Sequence, residues 1–233
     1  MDTKAFLGIQ AVSTDDATRG KWSMVVRPGL VTGGNFLWGG CGLAAAVSAI
    51  EELSGRTCVW STAQYLSYAR TGETMEIDVT LAVVGHQITQ ARAVCHVGER
   101  EILTVNAAVG ERPFEHAHSF VQMPDVPPPA ALQQREHRGD ITNTIHEKME
   151  ERFVIGRDLE ELDGTPNDGR TLMWARIPDV IEGVDTATLA VLGDFVPMGV
   201  GQALGVRGGG NSLDNTLRVV RLVPTKWRSE GVV

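Results

Sequence analysis

The chain has 233 residues, 42% of them apolar and 21% charged, with a formal net charge of −8; this suffices for one large domain or two fused small ones. The acidic balance and scattered Lys and Arg exclude a basic nucleic-acid-binding face. No apolar run approaches the about 18 residues of a membrane span, and "MDTKAFLGIQ" at the start lacks the regions of a secretory signal.

Residues Trp22–Arg27 read as a strand closed by Pro28. A glycine-rich entry follows, then an Ala-rich helix from about Leu37 to Glu52, ended by Ser54-Gly55. Its first turn spends Gly39, Gly40 and Gly42 where a capping Ser or Asp is usual. Four β-rich runs come next: Cys58–Tyr68, Met75–Val84, Ile88–Val97 and Glu101–Val109. "EIDVTLAVVG" and "QITQARAVCHVG" alternate with many β-branched residues, as half-buried antiparallel strands do, and Gly85-His86 and Gly98-Glu99 supply turns. Cys41, Cys58 and Cys95 are an odd number without paired spacing, so reduced thiols and a cytoplasmic location are expected.

From Pro113 the composition changes. "VPPPAA" neither pairs into a sheet nor continues a helix, so residues 113–145 are expected to be a linker extended over the surface between units 1–112 and 146–233. "MEERFVIGR", Met149–Arg157, reads as the first strand of the second unit.

The second unit echoes the first. "VVRP" at Val25–Pro28 returns as "ARIP" at Ala175–Pro178, offset by 150, and "YLSYAR" at Tyr65–Arg70 as "TLRVVR" at Thr216–Arg221, offset by 151. Between them lies a second apolar helix, "DTATLAVLGDFVPMGVGQAL", expected near 185–204, with Gly193 opposite Gly42 and Asp194 opposite Leu43. A sheet wrapped around one long helix, made twice, gives an α+β double hotdog. "NFLWGGCGLAAAVSAIEEL", "TAQYLSYARTGE", "WARIPD", "LAVLGDF" and "SLDNTLRVVR" together resemble the type II acyl-CoA thioesterase family from about Gly20 to Arg221.

Thioester hydrolysis needs a held water, a group to activate it and donors facing the carbonyl oxygen. Glycines at a helix N-terminus leave free N–H groups open to a ligand, so Gly39 and Gly40 are candidate substrate-binding residues; the competing reading is close helix packing. Asp194 stands among Leu192, Gly193, Phe195 and Val196, where an unpaired carboxylate is costly. The resemblance implies that it orients the hydrolytic water; alternatively it caps a helix restarting at Pro197. Ser212 matches a strand where the family commonly has Thr, and is the second catalytic candidate or else an ordinary loop residue. Gly193 and Asp214 complete the substrate-binding set. The family's Gln on a final strand has no counterpart: residue 233 corresponds to about residue 82 of the first unit, so the second is expected to lack its last strands.

Other features carry less. Cys41 has no His partner, His116 and His118 lack further ligands in a metal pattern, and "RGGGNS" precedes a strand rather than a helix. No nucleophile elbow occurs, and no metal or other cofactor is expected. The reading is therefore a fatty acyl-CoA thioesterase, forming a homo-oligomer through hotdog sheet pairing, with acyl-CoA as its substrate. A non-catalytic acyl-CoA-binding hotdog is the alternative. A hotdog enoyl-CoA hydratase is disfavoured, because no His lies before His86 or after Asp158.

Overall fold

Where alanine is densest the chain forms its longest helix, and the computed structural model buries that helix against a sheet. The structure describes the chain apart from residues 114–117, 119, 121, 138, 181–182, 209 and 223–233, and apart from the side chains of Val196 and Pro197. In order come α1 (Thr3–Leu7), β1 (Gln10–Asp16), β2 (Arg19–Val25), α2 (Gly39–Ser54), β3 (Cys58–Tyr65), β4 (Thr74–Val84), β5 (Ile88–Val97), β6 (Arg100–Gly110), β7 (Glu150–Ile155), β8 (Leu172–Arg176), α3 (Thr186–Leu192), α4 (Val196–Leu204) and β9 (Asp214–Arg218). Short 3-10 turns occupy Pro129–Ala131, Ile145–Lys148 and Leu159–Glu161.

The main sheet has the order β1-β2-β4-β5-β6-β3-β9, with every neighbouring pair antiparallel. Alternation sets its inner face: Met75, Ile77, Val79 and Leu81 on β4, and Ala91, Ala93 and Cys95 on β5, are buried. Every residue of α2 from Gly40 to Ile50 is buried, and the small inward side chains of β5 let the helix lie close to the sheet.

The second unit differs from a plain copy. β7 and β8 form a separate two-stranded sheet, while β9 joins the first sheet at the edge of β3. The β3–β9 pairing is centred on Thr62↔Thr216, whose hydroxyls lie 2.9 Å apart. These residues are 154 positions apart, close to the offset of the sequence echoes, as expected when equivalent strands pair about a pseudo-twofold axis.

The predicted 185–204 helix is interrupted. α3 ends at Leu192 with Gly193 as its C-cap, and α4 begins at Val196. α3 lies antiparallel to α2: Thr186 near its start donates to Glu51 at 2.6 Å, and Trp38 before α2 donates its indole N–H to the Val191 carbonyl at 2.9 Å.

The segment between the units is tied down rather than merely extended. Gly29 donates to the Asn143 carbonyl at 2.6 Å, Ile145 donates to Val31 at 2.8 Å, and Arg135 donates to the Glu151 carbonyl at 2.8 Å. Among the described residues, no helix is long and apolar enough to cross a membrane.

Candidate active site

The N-terminus of α2 lacks a cap of its own. Its N-cap, Trp38, offers no side-chain acceptor, although the first-turn N–H groups require partners. The Trp38 carbonyl accepts from Cys41 and Gly42, at 2.9 and 3.2 Å. The Gly40 N–H donates instead to Asp194 Oδ2 at 2.9 Å. The Gly39 N–H has no acceptor among the described residues.

Asp194 reaches this position from the break between α3 and α4. Three residues at the break, Gly193 to Phe195, turn its side chain inward, where it is 7% exposed. The sequence offered a role as cap of the following helix, but that helix has Phe195 as its N-cap, without a side-chain bond. Asp194 does cap a helix, and the helix is α2, far away in sequence. The Asn215 side-chain amide lies 3.4 Å from Oδ1, completing the partners of the carboxylate.

Burial raises the Asp194 pKa above the ordinary carboxylate value, and the bonds from Gly40 and Asn215 only partly offset it. A carboxylate poised this way is a better proton acceptor than a surface Asp. The same burial, with the Asp194 charge beside it, pushes the Cys41 thiol far up. Cys41 is thus a protonated packing residue rather than a nucleophile.

Tyr65, the last residue of β3, presents a buried hydroxyl that makes no hydrogen bond of good geometry among the described residues, with the Asn215 side chain nearby. Burial first, and Asp194 second, raise its pKa, so the hydroxyl keeps its proton and acts as a donor. A Cβ at Gly39 would lie 2.7 Å from Asp194 Oδ2, 2.9 Å from Tyr65 Cζ and 3.0 Å from its hydroxyl oxygen. Any side chain there would crowd both polar groups, so glycine lets Asp194 and Tyr65 close on the start of α2. Gly40 serves a different need: its Cβ would stand 2.5 and 2.8 Å from the carbonyl oxygens of Ala190 and Val191. Gly40 is thus a glycine of close helix packing.

The remaining sequence candidates are placed unevenly. Gly193 is exposed at the C-cap of α3, beside Asp194. Ser212 is half-buried ahead of β9 and makes no hydrogen bond to Asp194 among the described residues; Asn215 does. Asp214 is exposed and pairs with Gln64 through the backbone, on the strand face opposite Asn215. His116 lies outside the described residues. Sequence reasoning missed Tyr65 and Asn215 as site residues. Both stand inside the quoted motifs, and only the register of β3 with β9 brings them to Asp194.

No protein-family profile and no curated protein matches the chain. Solved structures do. A crystal structure of a proposed thioesterase from Novosphingobium aromaticivorans DSM 12444 is 29% identical, with a TM-score of 0.77 over 92% of this chain and 81% of that one. A hot dog fold protein of unknown function from Alicyclobacillus acidocaldarius is 19% identical, with a TM-score of 0.78 over 92% and 77%. A proposed thioesterase II from Thermobifida fusca YX is 17% identical, with a TM-score of 0.72 over 93% and 81%. The chain has the α+β hotdog fold, and its structural resemblance is to thioesterases, a thioesterase II among them.

Proposed function

We propose that the chain is an acyl-CoA thioesterase that hydrolyses fatty acyl-CoA to free acid and CoA by direct attack of water. The observation that carries this reading is the buried Asp194 carboxylate set against the otherwise uncapped start of α2, with the Tyr65 hydroxyl close by. A water brought between the two side chains donates to Asp194 and accepts from the Tyr65 hydroxyl. The thioester carbonyl oxygen faces the unpaired Gly39 N–H and the positive end of the α2 dipole. As the water oxygen bonds to the carbonyl carbon, its proton passes to Asp194. Collapse of the tetrahedral intermediate breaks the C–S bond, and the proton goes to the departing sulfur. No covalent acyl-enzyme forms.

Gly40, Gly193, Ser212 and Asp214 belong to the same proposal as parts of the wall around the acyl-CoA. Two units, 1–112 and 146–233, are joined by 113–145. Cytoplasmic action in fatty-acid metabolism and assembly as a homo-oligomer are corollaries of this reading. The test is release of free thiol from acyl-CoA substrates of graded chain length, with Asp194→Asn as the comparison. Thiol release by the wild type that is lost in Asp194→Asn supports the reading. Tight acyl-CoA binding without thiol release from any chain length moves the protein to the non-catalytic class.

A further inference from the structure

A second polar cluster lies beside the candidate active site and is not used by it. Glu151, on β7, is buried with a side-chain exposure of 0%. Around it stand His146, from the 3-10 turn at Ile145–Lys148, and His137, from the segment that joins the units. His146 Nδ1 is 3.1 Å from Glu151 Oε1, and His137 Nε2 is 3.7 Å from Oε2. All three donor atoms fall within 4.8 Å of one another.

These separations suit a small divalent ion. Zinc bonds of about 2.0–2.1 Å in tetrahedral geometry set donors about 3.3 Å apart. The two imidazoles face different oxygens of Glu151, and one donor atom from each of the three residues lies within 4.8 Å of the others, so small side-chain shifts bring them onto one ion. Two imidazoles and one carboxylate are the donor set that favours zinc over magnesium or calcium, which take oxygen ligands. Such a set leaves a fourth position for water.

The charges around the cluster agree. The Arg135 guanidinium bonds to Glu151 Oε2 through Nη1 and to Asp158 Oδ1 through Nε, each at 2.7 Å. One guanidinium shared between two carboxylates leaves a formal negative charge over, beside two imidazoles. Arg135 also fixes the orientation of the Glu151 carboxylate, the task that hydrogen bonds to metal-ligating carboxylates perform.

We infer that His137, His146 and Glu151 form a zinc-type divalent metal site that fastens the inter-unit segment to β7. The ion takes no part in thioester chemistry. Its effect reaches the active site through packing: the His146 ring stands edge-on to Trp38 at 5.5 Å and 6.3 Å from the Phe195 ring. Trp38 is the N-cap of α2, and Phe195 follows Asp194. A fixed His146 therefore braces both chain segments that carry the Asp194–Gly40 bond. This inference stands independently of the thioesterase reading, because its readout is metal binding.

The test uses the full chain stripped with EDTA, dialysed, and titrated with ZnCl2 in a calorimeter, with Co2+ absorption reporting the ligand set. The expected result is one equivalent of Zn2+ bound, d–d bands of a low-coordinate Co2+ with mixed nitrogen and oxygen donors, and a Tm raised by several degrees. His137→Gln and His146→Gln should each weaken binding at least about tenfold. A variant lacking His116 and His118 should bind as the wild type does. Because His146 packs against aromatic rings and its variant can fail to fold, His137→Gln, whose side chain is 15% exposed, decides the matter. Absence of saturable Zn2+ binding by the folded wild type overturns the inference. Unchanged affinity in folded His137→Gln does so equally.

Discussion

Asp194 Oδ2 accepts a hydrogen bond from the Gly40 N–H at 2.9 Å across a separation of 154 residues, so the break between α3 and α4 supplies the cap that α2 lacks. Loss of a side-chain cap costs about 1 kcal/mol. Asp194→Ala should lower stability by about that amount, whereas Asp194→Asn, which keeps an acceptor oxygen, should stay within a few tenths. Urea unfolding of the two variants beside the wild type checks this. Equal stability of all three would remove the capping role.

The two glycines at the start of α2 should separate stability from turnover. A methyl at residue 40 meets the backbone oxygens of Ala190 and Val191, which cannot swing aside. Gly40→Ala should therefore cost about 1–3 kcal/mol, the range for overpacking. A methyl at residue 39 meets side-chain atoms of Asp194 and Tyr65 and would push both from the positions that hold the proposed water. Gly39→Ala should fold with a smaller loss of stability and release thiol at least about tenfold more slowly, as expected when a positioned reactant is displaced.

Tyr65→Phe should leave stability within about 1 kcal/mol, since it removes a buried hydroxyl that makes no hydrogen bond of good geometry among the described residues. Turnover should fall by roughly 10- to 100-fold, below the loss for a principal oxyanion donor, with KM little changed. A destabilised Tyr65→Phe protein with normal kcat would show that the hydroxyl serves the fold instead.

Burial raises the Asp194 pKa, and that sets two pH dependences. The base must be ionised, so the acid limb of kcat/KM should lie above the ordinary carboxylate range. For stability the sign is opposite. A carboxyl whose folded pKa is raised favours folding below its unfolded value, and this contribution is lost as pH rises through the folded value. Asp194→Asn should therefore flatten the stability profile across that window while leaving other carboxylates to titrate. A pH series of urea melts on both proteins measures the difference.

Much of the fold was legible because its signals are local. The meander β4–β6 announced itself through strict alternation and glycine turns, and α2 through its alanine run. Asp194 stood out as a carboxylate amid apolar neighbours, and the structure gives it buried partners. The hairpin β1–β2 was only half visible, since every residue of β1 is exposed and carries no apolar pattern. The break at Gly193–Phe195 was legible only in the alternative of a helix restarting at Pro197, because continuous apolar character on either side favours one helix. Tyr65 and Asn215 could not be read as partners of Asp194, because their placement depends on β9 crossing to the edge of β3. Such long-range register leaves no trace in either segment alone.

The central claim is tested most directly by the rate of free-thiol release from a fatty acyl-CoA, compared between the wild type and Asp194→Asn at saturating substrate. Asn preserves the acceptor to Gly40 but cannot take a proton from water. The account predicts steady thiol release by the wild type without an initial burst, and a kcat lowered roughly 10²- to 10⁴-fold in a variant that still folds and binds acyl-CoA. Unchanged turnover in folded Asp194→Asn would contradict it.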